Sequence, residues 1–145
     1  MKYYYLAHQL KHRFLVREIE LQLEKKFNIE LVNPFYDGKR RDIQKLDKGN
    51  FKRTDFSLKD AKKIVENDLK AIDRSDGIVS IIIDIESIGS YMEIFYGYHV
   101  LHKPVYVISP DVKIRKHIWI KSNSTKQFSS ITNFEKWLKR NVNKL

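Results

Sequence analysis

Ile78-Val79-Ser80-Ile81-Ile82-Ile83 and Lys103-Pro104-Val105-Tyr106-Val107-Ile108 flank the stretch Ser87-Ile88-Gly89-Ser90-Tyr91-Met92-Glu93-Ile94-Phe95-Tyr96-Gly97-Tyr98-His99-Val100, and the reading of these three segments decides the fold. Two short apolar runs rich in β-branched residues, with a helical pattern between them, read as a βαβ unit whose strands are buried in a parallel sheet. The middle stretch is then the turn and helix leaving the carboxyl end of a central strand. Ligands of open α/β sheets bind in the crevice outside such ends, which makes Glu93 a candidate for chemistry. Ser90-x-x-Glu93 is also the pattern of a capping box, with Ser90 as N-cap and Glu93 reaching back to an orphan amide. The two readings are compatible, because the positive end of the helix dipole favours an ionised carboxylate, the state a nucleophile needs.

A chain of 145 residues suits one domain, 1–145, with a single core. It has no cysteine, which excludes disulfides, thiolate metal sites and thiol catalysis. No amino-terminal signal pattern is visible and no apolar run approaches the roughly 20 residues of a membrane span, so a soluble cytoplasmic protein with no membrane partner is expected. The formal charge of +10 is uneven: residues 1–56 carry 13 basic and 8 acidic side chains, 57–110 carry 6 and 8, and 111–145 carry 9 and 2. The basic excess at the two ends steers anions toward the molecule. It is scattered without an aromatic-interleaved stripe or a nucleic-acid motif, which favours a small phosphate-bearing partner over nucleic acid.

In chain order, Tyr3-Tyr4-Tyr5-Leu6-Ala7 reads as a buried first strand. His8-Gln9-Leu10-Lys11-His12-Arg13 turns into a helix with Leu15, Val16, Ile19, Leu23 and Phe27 facing inward. The amino terminus of that helix, with Lys11, His12 and Arg13, is a candidate anion site. Ile29 to Asn33 is a second strand, and Phe35 to Phe56, with Gly38 and Gly49, shows no sustained period and reads as a long loop whose Phe35, Tyr36 and Asp37 lie nearest the strand end. Ser57-Leu58-Lys59-Asp60 opens a helix to about Asp73 with Ala61, Ile64, Val65, Leu69 and Ile72 on one face. Asp68 lies on that same face, and an inward acid is costly unless paired, solvated by a cleft or working. Asp76-Gly77 reads as a structural turn. After the strand ending at Ile108 the sequence predicts an edge strand around Ile118-Trp119-Ile120, then a Thr132-Asn133-Phe134-Glu135 capping box opening a last helix with Phe134, Trp137, Leu138 and Val142 inward.

Four segments in this order carry a resemblance: Tyr5-Leu6-Ala7; Asn67-Asp68-Leu69-x-x-Ile72-x-x-x-Asp76-Gly77; Ser87-Ile88-Gly89-Ser90-Tyr91-Met92-Glu93-Ile94-x-x-Gly97; and Lys103-Pro104-Val105. Together they resemble the nucleoside 2-deoxyribosyltransferase superfamily, nearest in motif to the 2′-deoxynucleoside 5′-monophosphate N-hydrolases. The resemblance implies a Rossmann-like (flavodoxin-like) α/β fold, a parallel sheet of about five strands with helices on both faces, associated as a homodimer or higher oligomer. It further implies cleavage of the N-glycosidic bond of a 2′-deoxynucleoside or its 5′-monophosphate, with no metal or organic cofactor. On this likeness Glu93 is the nucleophile and Asp68 the acid that positions the sugar and manages protons at the leaving base. Ser87 stands where base-exchanging transferases usually carry Asp and the monophosphate hydrolases carry Ser, which favours a phosphorylated substrate. Gly89 and Ser90 fall in the same turn, and Tyr5 on an aromatic beside the nucleotide. The chain departs from its relatives at His8-Gln9, where they have Gly followed by Pro or Ser; Lys11, His12 and Arg13 are the compensating phosphate contacts. The match fades after residue 108, leaving Arg115 and His117 as candidates for the partner subunit's contribution.

These residues imply a two-step retaining displacement through a glycosyl-enzyme. Water as second acceptor makes a hydrolase and a second base makes a transferase. A non-catalytic nucleotide-binding or sensing module on the same fold is the rival class, motivated by His8.

Overall fold

The computed structural model describes residues 1–44 and 56–144. Residues 45–55, half of the expected loop and including Gly49, and residue 145 lie outside the described residues. Five parallel strands, β1 (Lys2–His8), β2 (Ile29–Val32), β3 (Gly77–Ile81), β4 (Val105–Ile108) and β5 (Lys126–Phe128), pair in the order β2-β1-β3-β4-β5. The strand order reverses between β1 and β3, the switch point at which such sheets open a crevice beyond their carboxyl ends.

Period-two alternation divides the core into two layers. Tyr4, Leu6, Val79, Ile81, Tyr106 and Ile108 face α1 (Arg13–Lys26) and the last helix, whereas Tyr5, Ala7, Ile78, Val105 and Val107 face the helices on the other side. The helices between are α2 (Arg41–Gln44), α3 (Leu58–Arg74), α4 (Ile88–Phe95), α5 (Val112–Lys116), α6 (Ile118–Ser122) and α7 (Ile131–Asn141). A π-helical turn, Tyr96–Val100, continues α4. Gly97 lies where that turn meets β3, and a Cβ there would collide with the Ile78 side chain. The contact sets how deeply the Glu93 helix sits on the sheet. The amine of Lys103 donates to the carbonyls of Ile72, Asp73 and Ser75 at 2.8, 2.6 and 2.6 Å, satisfying the orphan acceptors at the end of α3. Asp76 is structural, as expected: its carboxylate accepts from the Tyr3 amide at 2.9 Å and its own amide donates to the Tyr3 carbonyl.

Several expectations are corrected. Ile118-Trp119-Ile120 is helical, not an edge strand; its first turn is capped by His117, and only Ile120 is buried. A short apolar run cannot be told from a buried helical turn by periodicity, and the true edge strand, Lys126-Gln127-Phe128, carries a single apolar side chain. Ser87, not Ser90, precedes α4, so Glu93 stands in the second turn, too deep to reach back to the helix start, and the capping-box reading fails. Ser130 rather than Thr132 caps α7, accepting from the Asn133 amide at 3.1 Å. Leu15 and Val65 are half or more exposed; Glu20 is buried in line with Val16 and Leu23, and Asp68 with Ile64 and Ile72. Among the described residues, the segment after β2 holds one helical turn, α2. Phe35 is packing: it is buried with Ile43 and Ile64, its ring 4.9 Å from His8.

Candidate active site

Tyr5 lies on the face of β1 that meets α3 and α4, and its hydroxyl donates to Glu93 Oε2. Burial, then the charge of Glu93, then that of Asp68 push the Tyr5 phenol well above its ordinary range, so it stays a donor at any physiological pH. Two carboxylates from different helices thus act on one phenol. Glu93 is half-buried and Asp68 buried. Asp68 is held by a guanidinium: Arg40 Nη2 donates to Asp68 Oδ1 at 2.9 Å and to Asp42 Oδ2 at 2.8 Å, while Arg40 Nε donates to Asp42 Oδ1 at 3.0 Å. These contacts outweigh the cost of burying Arg40 and keep it protonated; they also hold the Asp42 carboxyl below its ordinary range against its own burial. Arg40 Nη1 is buried with no hydrogen-bond partner among the described residues. Arg40 and Asp42 were not foreseen; the one signal for them is that an acid on an apolar helix face calls for a cation.

The turns after β1 and β3 form a second, more polar corner. Lys11 Nζ and His12 Nε2 meet Asp84 Oδ2 at 2.7 and 3.0 Å, and these two contacts hold the Asp84 carboxyl far below its ordinary range. The charge that Lys11 offers an incoming anion is therefore partly met already. Arg13 Nη1 donates to the Leu10 carbonyl at 3.2 Å. Ser87 is buried and its hydroxyl donates to the Asp84 carbonyl at 3.1 Å. Gly89 and Ser90 lie in the first turn of α4, and the buried Ser90 hydroxyl has no partner among the described residues. Gln9 Oε1 is likewise buried and unpartnered there.

His8 is on the opposite face of β1 from Tyr5. Its Nε2 meets Asn33 Oδ1 at 3.1 Å and its Nδ1 meets the Gln9 carbonyl at 3.0 Å. Asn33 cannot be reversed without loss: its amide nitrogen donates to Glu20 Oε2 at 2.7 Å and its oxygen accepts from the Phe35 amide at 3.2 Å. Both imidazole nitrogens face acceptors, and a chain of bonds runs from His8 through Asn33 to Glu20. The two partner-subunit candidates separate. Arg115 donates to the Ser109 carbonyl at 2.6 Å and lines a groove beside β5, whereas His117 lines an apolar groove of about 740 Å³ with Met92, Phe95 and Trp119. Among the described residues no three His, Asp or Glu side chains are grouped as a metal site requires, and no helix is long and apolar enough to cross a membrane.

No family model matches the sequence, and no curated protein matches it. Solved structures do. A 2-deoxyribosyltransferase from the psychrotolerant bacterium Bacillus psychrosaccharolyticus superposes with a TM-score of 0.64 at 21% identity, over 92% of this chain and 90% of that one. A conserved protein from Enterococcus faecalis V583 superposes with a TM-score of 0.61 at 17% identity, over 97% and 98%. The five-stranded parallel sheet, its strand order and the flanking helices thus have the fold of a nucleoside 2-deoxyribosyltransferase.

Proposed function

We propose that the chain cleaves the N-glycosidic bond of a 2′-deoxynucleoside or its 5′-monophosphate through a covalent ester on Glu93. The observation that carries the reading is the convergence of Glu93 and Asp68 on the Tyr5 phenol, beside the switch point of the sheet. Tyr5 fixes the plane of the Glu93 carboxylate. A carboxylate oxygen attacks the anomeric carbon, the bond to the base breaks, and the base leaves with the bonding pair and takes a proton from solvent. Water then attacks the same carbon, gives up a proton to solvent and releases Glu93, with net retention. Asp68, bonded to the Arg40 guanidinium, is suited to accept from the deoxyribose hydroxyls, a role the ion pair favours over proton donation. The Ser90 hydroxyl, unpartnered among the described residues, and the amides opening α4 suit a 5′-phosphate. The fold shared with a 2-deoxyribosyltransferase supports base exchange through the same ester as the second reading.

Incubation with a panel of deoxynucleosides and their monophosphates, with and without a free acceptor base, separates the outcomes. Free base alone marks the hydrolase and an exchanged nucleoside the transferase; binding without turnover would refute catalysis and leave a sensing module. Glu93→Gln is expected to lower turnover by at least about 10³-fold without unfolding the chain.

The working form is proposed to be a homodimer. Ile88, Met92, Ile118 and Trp119 are 68, 69, 74 and 61% exposed on neighbouring elements, and Met92 and Phe95 flank Glu93 along α4. Contiguous exposed apolar surface of this kind marks an interface, and a second copy laid over it would close the site from water. Sedimentation of Met92→Lys/Trp119→Lys is expected to give a monomer; a native chain that already sediments as a monomer would refute the assembly.

A further inference from the structure

We propose that the groove between β5 and α7 is a binding site for a nucleotide carrying two or more phosphates, built from residues that play no part in the Glu93 site. The groove, about 630 Å³, is the size of a small-molecule pocket. Its helical wall is a single stripe: Asn133, Lys136, Trp137 and Arg140 recur at the spacing that puts them on one side of α7. Its other wall is β5, the last strand of the sheet, with Lys126, Gln127 and, beyond the strand end, Ser129; Arg115 reaches in from α5.

The charge in this groove is uncompensated. Arg115, Lys126, Lys136 and Arg140 line it together with no carboxylate, and among the described residues none of the four makes an ion pair. Immediately beside them on α7, Glu135 is taken up by Lys26 at 2.9 Å. Like charges gathered around one cavity repel, and a multivalent anion relieves that repulsion. Two further groups are ready to donate. The Ser129 hydroxyl accepts from Asn133 Nδ2 at 2.8 Å, so its own proton is left for a ligand oxygen. The Gln127 amide nitrogen is buried without a hydrogen-bond partner among the described residues, a cost that a ligand carbonyl or ring nitrogen removes. Arg115 is already anchored through one nitrogen to the Ser109 carbonyl, so little freedom is lost when it engages an anion. The Trp137 ring, braced at 4.8 Å by Tyr106 and 5.6 Å by Phe128, supplies a rigid apolar surface for the base. Cations on two walls suit a phosphate chain, and the aromatic floor with an amide donor suits a base, which is why a nucleotide is favoured over inorganic polyphosphate.

Calorimetric titration of the full chain with ATP at low salt tests this. Saturable binding is expected, weakened at least about tenfold in Lys136→Glu/Arg140→Glu and retained in Lys136→Arg/Arg140→Lys, with thermal melting of each variant as the folding control. Should the charge reversal unfold the chain, Lys126→Ala on the exposed edge strand must lower the affinity instead. Absence of saturable binding, or binding that survives loss of these cations, would overturn the site. Inorganic tripolyphosphate is expected to bind about tenfold more weakly than ATP, because it lacks the stacking base; equal affinity would overturn the nucleoside half of the assignment. An oligothymidylate that binds more tightly than ATP would overturn the single nucleotide in favour of a strand.

Discussion

Around Asp68 the buried charges are crossed against one another: Arg40 holds two carboxylates, and one of them shares the Tyr5 phenol with Glu93. Along α7 and β5 the charges are of one sign and face a cavity. Both regions lie against the same sheet, yet they differ in what an incoming molecule must supply. The first is pre-organised, its geometry held by internal bonds, which is what the proposed catalysis requires. The second is held at a cost that a ligand removes, which is the condition for binding. On the proposed readings, one changes a bond and the other recognises a charge.

The sharpest way to break this comparison is Glu93→Gln, whose large loss of turnover should leave ATP affinity unchanged within experimental scatter. Lys136→Glu/Arg140→Glu should do the reverse. Arg40→Met comes next in size. It removes the cation that faces Asp42 and Asp68, whose side chains are only 6 and 9% exposed, so unfolding should cost about 3–5 kcal/mol less, read as a lower denaturation midpoint. Adding Asp42→Asn and Asp68→Asn should recover most of that loss, because the penalty belongs to buried carboxylates that have lost their cation and not to missing packing. Failure of the triple variant to recover would mean that Arg40 stabilises through its stem instead.

How far these regions could be read from residues alone follows from the same physics. β1, β3 and β4 are legible because their sides are both buried and their runs are continuous; β5 is not, because Lys126-Gln127-Phe128 is half solvated. Asp68 declared itself by sitting among Ile64 and Ile72 on a helix face. Its partner did not: Arg40 is 28 positions away in a segment without period, and long-range ion pairs leave no local trace. Asp84 escaped notice for the same reason, 72 positions from His12. The start of α4 was misread because Ser87 and Ser90 are chemically equal candidates for a cap, and the choice between them is made by how the turn after β3 packs.

The smallest effect is in the pH dependence, and it has two signs. Asp42 is held below its ordinary value of 3.8, so it contributes stability that is complete above pH 3.8 and is lost as pH falls through its lower native value. Glu20 is the opposite case. Burial raises it above its ordinary 4.5 despite its bonds to Asn33 and Arg17, so its ionised form weakens the fold at neutral pH, and that penalty disappears as the carboxyl protonates on the way down to 4.5. Measured as a difference in melting temperature, the native chain should gain on Glu20→Gln as pH is lowered from 7 toward 4.5. Against Asp42→Asn it should hold its advantage over that range and surrender it only below 3.8. A native chain that loses ground to Glu20→Gln on mild acidification would show that the Arg17 and Asn33 bonds outweigh burial at Glu20. The chain of bonds from Glu20 through Asn33 to His8 would then be a net source of stability at neutral pH, like the Arg40 cluster beneath Tyr5, and not a strain carried on the opposite face of β1.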